Sequence, residues 1–333
     1  MAGGPTTVLR VLLLLAVTLT ACTAENAAAP VEPSAAPAPV PAAPPDPAAV
    51  AANELGLVPV LMYHQITANP AGEYDQTPAE FRAELERLYR ENYRPVTAAQ
   101  YVSGEIDLPA GTHPVVLTFD DSTDSQLAFT ATGDIAPDSA AGILAEFATR
   151  YPDFRPVATF YVNNEPFGAD PRALPWLTAH GHEIGAHTAD HADLASLDAE
   201  GVQRQLVRNV RAITAAAPSV TVRTMALPLG IHPRDHALTR AGSWDGTSYT
   251  FDAVMLVGAN PAPAPYGPLD PGGIPRIRSG RGAVPFDSAY WLDWLAAHPE
   301  QRYTADGDPA RVSFPRQLAG DLDARWSAPA NPY

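Results

Sequence analysis

The sequence predicts an α/β fold: a single (β/α) barrel-like domain on a distorted seven-stranded parallel barrel. Three observations predict it. Seven short runs rich in apolar residues are bounded by turn residues. Stretches with helical spacing separate them, as parallel strands require crossovers. The polar residues collect at the ends of the runs, and in parallel barrels the C-terminal ends of the strands line the site.

The N-terminal part precedes that pattern. Arg10 is followed by "VLLLLAVTLTAC", a basic start, a short apolar stretch and small residues, which reads as an export signal over residues 1–21. "LTAC", residues 19–22, resembles the lipobox of bacterial lipoproteins, and that resemblance implies cleavage before Cys22 and lipidation of its thiol. The alternatives are an ordinary signal peptide with a chance cysteine, or an uncleaved anchor. Residues 22–55, mostly Ala and Pro, read as a semi-rigid tether, because Pro fixes φ and removes donors. The rest of the chain is then expected on the extracytoplasmic face of the cell membrane. No other segment reaches the roughly 18 consecutive apolar residues of a membrane helix.

From Gly56 the expected strands are "VPVLMYH" (58–64), "PVVLTF" (114–119), "VATFYV" (157–162), "HEIGAH" (182–187), "RTMALP" (223–228), "DAVMLVG" (252–258) and "IPRIR" (274–278). Helices are expected over 77–92, 139–151 and 198–217. In the first, Phe81, Leu85 and Leu88 share a face, Pro78 fits the first turn and Thr77 can cap it. The catalytic-type domain is placed at 56–280. Residues 281–333 read as an aromatic helix and a polar tail packed on the same domain.

Composition excludes several function classes. The 333 residues carry a formal charge of −16, and all 21 basic residues are Arg. An acidic chain without basic clusters argues against nucleic acid as a partner. Without lysine there is no Schiff-base chemistry, and with one cysteine there is no internal disulfide.

Two short stretches carry the candidate chemistry. "LTFDDSTDSQ" (117–126) runs strand formers into adjacent carboxylates, Asp120 and Asp121. Alone, that pair could be a turn or a helix cap. "GAHTADHADL" (185–194) adds His187 and His191, four apart and able to point to one side. Two imidazoles and a carboxylate make a three-ligand site for a divalent metal with open positions. His182 is five residues from His187, not four, and reads as a core or surface residue; Glu183 is either a partner of His187 or a surface salt bridge.

"TFDDS" and "HTADH", on the second and fourth expected strands, resemble the first two motifs of the polysaccharide deacetylases of carbohydrate esterase family 4. "PVLMYHQI" (59–66), "GHEIGAHT" and "ALPLG" follow the family's order, so the resemblance covers roughly residues 57–280. It implies a metal triad of Asp121, His187 and His191, Asp120 as general base, and an oxyanion-stabilising backbone N–H at Leu229. Thr188 matches the hydroxyl that steadies the second motif. The family resemblance also implies a divalent metal, typically zinc, and an N-acetylglucosamine polymer as substrate.

The sequence departs from the family in three places. Ser122 stands where the first motif has Gly, so the loop is expected to run differently. Ala226 stands where the third motif carries the Arg that pairs with the base; Arg276, ending another strand, or Arg223 could replace it. The late Leu-x-His motif that supplies the acid is not evident, which leaves His64 as the best-placed alternative, or else as a buried structural histidine. The loop 131–141 is expected to shape the substrate groove. Rival readings are an O-acyl esterase on the same fold, a non-catalytic glycan-binding lipoprotein and a solute-binding lipoprotein.

Overall fold

A computed structural model describes Met1 and residues 45–333. The expected signal segment, Cys22 and the tether up to residue 44 lie outside the described residues.

Eight parallel strands form one sheet. They are β1 (Val60–Tyr63), β2 (Tyr93–Val96), β3 (His113–Phe119), β4 (Thr159–Val162), β5 (Glu183–Ala186), β6 (Thr224–Ala226), β9 (Ala253–Met255) and β10 (Ile277–Arg278); an antiparallel hairpin, β7 (Ala241–Trp244) and β8 (Thr247–Thr250), intervenes. The main path runs β10-β1-β3-β4-β5-β6-β9. These seven are the seven runs expected from the sequence. The path curls into a distorted (β/α) barrel, and a parallel bridge between Met255 and Ile274 links its two ends.

The eighth strand, β2, explains part of the distortion. Strand β3 is seven residues long; its first half pairs with β2 and its last two residues with β4. Strand β2 was not expected because its sequence, YRPV, holds Pro95 and Arg94. Proline costs little in a strand that pairs on one side only. The hairpin was also not expected, although Asp245 and Gly246, both at positive φ, make the Asp-Gly turn that favours it.

Helices α1 (Pro78–Arg90), α3 (Ala140–Arg150), α4 (Ala173–Ala179) and α5 (Ala199–Ala216) pack outside the sheet, while short α2 (Ala98–Ser103) lies at one end. Helix α1 starts as its sequence requires: Thr77 Oγ1 accepts from Glu80 N and Glu80 Oε2 accepts from Thr77 N. Its Phe81, Leu85 and Leu88 are fully buried, each contributing on the order of 1.5–3 kcal/mol. Phe81 meets Tyr63 and Phe119, and Phe119 stacks on Phe160, so one aromatic row joins α1 to β1, β3 and β4.

The last part of the stretch expected as tether, 22–55, is ordered on the domain. Residues 47–55 are folded onto the domain: Ala52, Asn53 and Glu54 are buried, and Asn53 bridges to Thr304. Glu54 accepts from Ser313 N, which draws this segment against the C-terminal tail. An alanine-rich sequence conceals this because the anchoring contacts come from partners about 250 residues away. Beyond α6 (Ser288–Ala297), the tail contains a parallel pair, β11 (Val312–Phe314) and β12 (Ala330–Pro332). No described helix is long and apolar enough to cross a membrane.

Candidate metal centre

In strand β3, residues 115, 117 and 119 pack with the outer helices, so alternation turns Thr118 and Asp120 toward the barrel interior. The chain then leaves the strand through two non-glycine residues in the left-handed region, Asp121 (φ 75) and Ser122 (φ 49). That reversal swings Asp121 away from Asp120, and the neighbours end with different partners. The departure of Ser122 from Gly leaves the loop intact: Ser122 takes the conformation glycine would favour. It is held there by its Oγ, which accepts from Asn163 N, and its carbonyl, which accepts from Phe167 N.

Asp120 is buried against Arg276, which has no exposed surface. Nη1 and Nη2 of Arg276 donate to the two carboxylate oxygens at 2.7 and 2.6 Å. The same guanidinium donates to Thr118 Oγ1 and to the Leu256 carbonyl, so the fork is fixed from both sides. Burial alone would raise the Asp120 carboxyl. The charge and hydrogen bonds of Arg276 instead hold it well below the usual carboxylate range. Arg223 pairs with Asp252 and takes no part here.

Asp121 Oδ1 lies 3.3 Å from His187 Nε2 and 3.3 Å from His191 Nε2, and one ligand atom from each residue falls within a 4.8 Å cluster. Strand β5 delivers His187 to this place. His187 Nδ1 lies 2.8 Å from the Ala226 carbonyl, which can only accept, so the hydrogen sits on Nδ1 and Nε2 of the neutral ring offers a lone pair. That lone pair faces a carboxylate oxygen which is buried without a hydrogen-bond partner. Two acceptors aimed at each other need a cation between them. Ligand bonds of roughly 2.0–2.2 Å meeting at ordinary coordination angles separate donor atoms by roughly 3–3.5 Å, which is the spacing found from Asp121 Oδ1 to each imidazole. The residues therefore fit a divalent metal.

The second-motif loop is held by residues the sequence did not single out. Asn209 on α5 has no exposed surface; its Oδ1 accepts from His187 N and its Nδ2 donates to the Val162 carbonyl. Asn163 Nδ2 donates to the His187 and Thr188 carbonyls. Gln205 brackets the loop at Asp190. Thr188 and His191 stand at positive φ, and Thr188 Oγ1 accepts from Ala192 N. The available signal was a pair of polar residues, Gln205 and Asn209, four apart on the otherwise apolar inner face of an amphipathic helix.

The other expected residues sort as follows. His64 immediately follows β1, and its Nδ1 is buried with no hydrogen-bond partner, while its ring tilts against Tyr74 at 5.0 Å. Leu229 is exposed in the Pro228–Gly230 turn after β6, at φ 59. His182 is a core residue whose Nδ1 accepts from Ala158 N, and burial pushes its pKa down to about 3. Glu183 bonds Thr159, Thr224 and Ala99 N rather than His187. The 131–141 loop folds back through a bridge between Phe129 and Ile135.

Comparison with known proteins agrees with this geometry. Residues 108–243 match the polysaccharide deacetylase family model. The chain is 32% identical over 133 residues to a chitooligosaccharide deacetylase of Sinorhizobium fredii, covering 40% of this chain and 54% of that one. A second, from Rhizobium leguminosarum bv. phaseoli, is 30% identical over 166 residues, covering 46% and 66%. The chain thus spans about half the length of the first two curated relatives it matches, 54% and 53%. Among solved structures, a polysaccharide deacetylase from Bacillus cereus superposes with a TM-score of 0.54 at 18% identity, covering 72% of this chain and 68% of that one. A Streptococcus pyogenes deacetylase crystallised with acetate gives 0.50 at 18%, covering 67% and 92%. At such identities the structures speak for the fold. The segment that matches the polysaccharide deacetylase family model, 108 to 243, carries Asp120, Asp121, His187, His191 and Leu229.

Proposed function

We propose that the chain is a metal-dependent hydrolase that removes N-acetyl groups from an N-acetylglucosamine-containing polysaccharide, peptidoglycan or an exopolysaccharide, at the cell surface. The observation that carries this reading is the convergence of Asp121, His187 and His191 on one point, with a second, separately held carboxylate, Asp120, beside it. The family match and the deacetylase names of its relatives support the reaction class.

A divalent ion at the triad, zinc by the chemistry of the donors, would supply an acidified water and a polarised acyl carbonyl. The chain's own residues do the rest. Asp120 stays ionised under Arg276 and keeps lone pairs beyond the two hydrogen bonds, so it can accept a proton from the attacking water. Arg276 restricts it to one orientation. The exposed left-handed turn at Leu229 offers a backbone N–H to the oxyanion. His64, with a buried unpartnered Nδ1, is the proton donor to the departing amine. Export and a lipid anchor at Cys22 belong to the same proposal and rest on residues 10–22 of the sequence. Labelling with a radioactive fatty acid should mark the wild-type chain and not Cys22→Ser.

The test is acetate release from N-acetylglucosamine oligomers by metal-loaded protein. Turnover should stop with a chelator and in Asp120→Asn. Full activity in either case refutes the mechanism. Release from O-acetylated sugars alone would instead favour the esterase, and oligomer binding without turnover the non-catalytic module.

A further inference from the structure

Six large apolar or aromatic side chains between residues 45 and 333 are exposed: Tyr74, Leu229, Ile231, Val257, Phe286 and Tyr290. Each lies on a segment leaving the C-terminal end of a strand. Tyr74 follows β1, Leu229 and Ile231 follow β6, Val257 follows β9, and Phe286 and Tyr290 follow β10. Single exposed apolar residues are ordinary, but confinement to the rim that holds the metal centre marks a binding surface.

Part of that rim is a built aromatic platform. Phe286 and Tyr290 meet edge to face at 5.1 Å, and Tyr290 meets Trp291 in the same way at 5.2 Å. Phe286 is held at φ 61, in a region bulky residues avoid, and is 49% exposed rather than turned inward. The buried Asp287 sets this loop: it accepts from Gly282 N and from Tyr290 N, which caps α6. Trp291 Nε1 donates to the Ala259 carbonyl at 2.6 Å, fixing the platform to the loop after β9. In that loop Val257 packs so closely on Gly230 that a Cβ there would lie 2.7 Å from Val257 Cβ. The surface is thus continuous from Tyr290 through Val257 to Leu229, although Phe286, Tyr290 and Trp291 lie outside the segment that matches the family.

We propose that Phe286, Tyr290 and Trp291 form an accessory carbohydrate subsite, on which the apolar face of a pyranose stacks while the same glycan reaches the metal centre past Val257 and Leu229. The inference rests on the reading of the substrate as an N-acetylated glycan. The occupant follows from the surface: neutral aromatic faces suit the C–H face of a sugar, and continuity with the candidate site suits a chain of several sugars. The consequence is a preference for longer oligomers.

The experiment measures acetate release from the N-acetylglucosamine dimer and pentamer by metal-loaded protein, with binding of both followed by saturation-transfer NMR. Tyr290→Ala and Phe286→Ala should lower kcat/KM on the pentamer by about threefold to tenfold, mainly through KM, with the dimer changed by less than about twofold. Tyr290→Phe should keep the wild-type preference, which excludes a loss through misfolding. Equal losses on dimer and pentamer, or none on the pentamer, would overturn the subsite. Wild-type protein that releases no acetate from either oligomer would defeat the deacetylase reading instead; weakened pentamer binding in Tyr290→Ala would then still support the subsite, and unchanged binding would overturn it.

Discussion

The domain sets two pairs of carboxylates in different regions, Asp121 alone of the four being half-buried, and treats them in opposite ways. At the C-terminal rim, Asp120 and Asp121 sit among an arginine and two histidines. At the clasp between residues 47–55 and the C-terminal tail, Glu54 and Asp306 are joined through Ser313, whose N donates to Glu54 and whose Oγ donates to Asp306. Tyr303 closes on Glu54 from the side. No basic side chain pairs with either acid of the clasp among the described ion pairs. Burial therefore pushes the Glu54 carboxyl up to about 8, whereas Arg276 holds Asp120 far down. Low dielectric opposes charge at both places, so Asp120 stays ionised beside its cation while Glu54, without one, keeps its proton. The clasp fastens two chain segments; the rim keeps charge available for chemistry.

The comparison breaks most visibly at the triad. Asp121→Asn or His187→Ala should remove metal binding and reduce acetate release to background while circular dichroism stays native, because these residues serve the ion and not the core. Next comes Arg276→Met, which strands Asp120 as a buried unpaired charge. Urea unfolding should show a loss of about 3–5 kcal/mol near neutral pH, shrinking under acid conditions that protonate Asp120. Arg276→Lys should not restore the wild type, since an ammonium cannot reproduce the two parallel bonds.

Asn209→Ala sharpens the contrast, since it removes support from a ligand without touching the ligand itself. Metal affinity should fall roughly tenfold with little change in the coordination spectrum of a cobalt-substituted protein. At the clasp the sign reverses. The folded state keeps its proton on Glu54 up to about pH 8, while the unfolded chain releases it near the ordinary 4.5. Stability contributed by this group is therefore full below about pH 4.5 and falls as pH rises toward 8, at most by about 1.4 kcal/mol per pH unit. Glu54→Gln should flatten that slope in chemical denaturation measured from pH 5 to 8. The smallest effect is expected of Ser122→Gly: relief of a positive φ offset by a lost hydroxyl contact, within about 1 kcal/mol of the wild type.

How far the sequence revealed the molecule follows the same physics. All seven strands of the main path were legible because they are apolar on both faces, which parallel sheets require. The ligand types were legible because Asp-Asp at a strand end and His-x-x-x-His are local patterns. Arg276 could be named as a candidate because it falls within an expected strand, although it lies just before β10 in the structure. Asn209 and Asn163 were hidden, since their value depends on facing a loop that comes from another part of the chain. The packing of residues 47–55 was hidden for the same reason. Strand β2 was masked by its proline, and the positive φ values of Asp121, Thr188, His191 and Leu229 by side chains that give no sign of them.

The most direct test of the central claim is anomalous diffraction at the zinc edge from crystals of metal-loaded protein. A single strong peak is expected within about 2.0–2.2 Å of Asp121 Oδ1, His187 Nε2 and His191 Nε2, with Asp120 still paired to Arg276 and not ligating. A peak elsewhere, or none at this position in protein that releases acetate, would contradict the account.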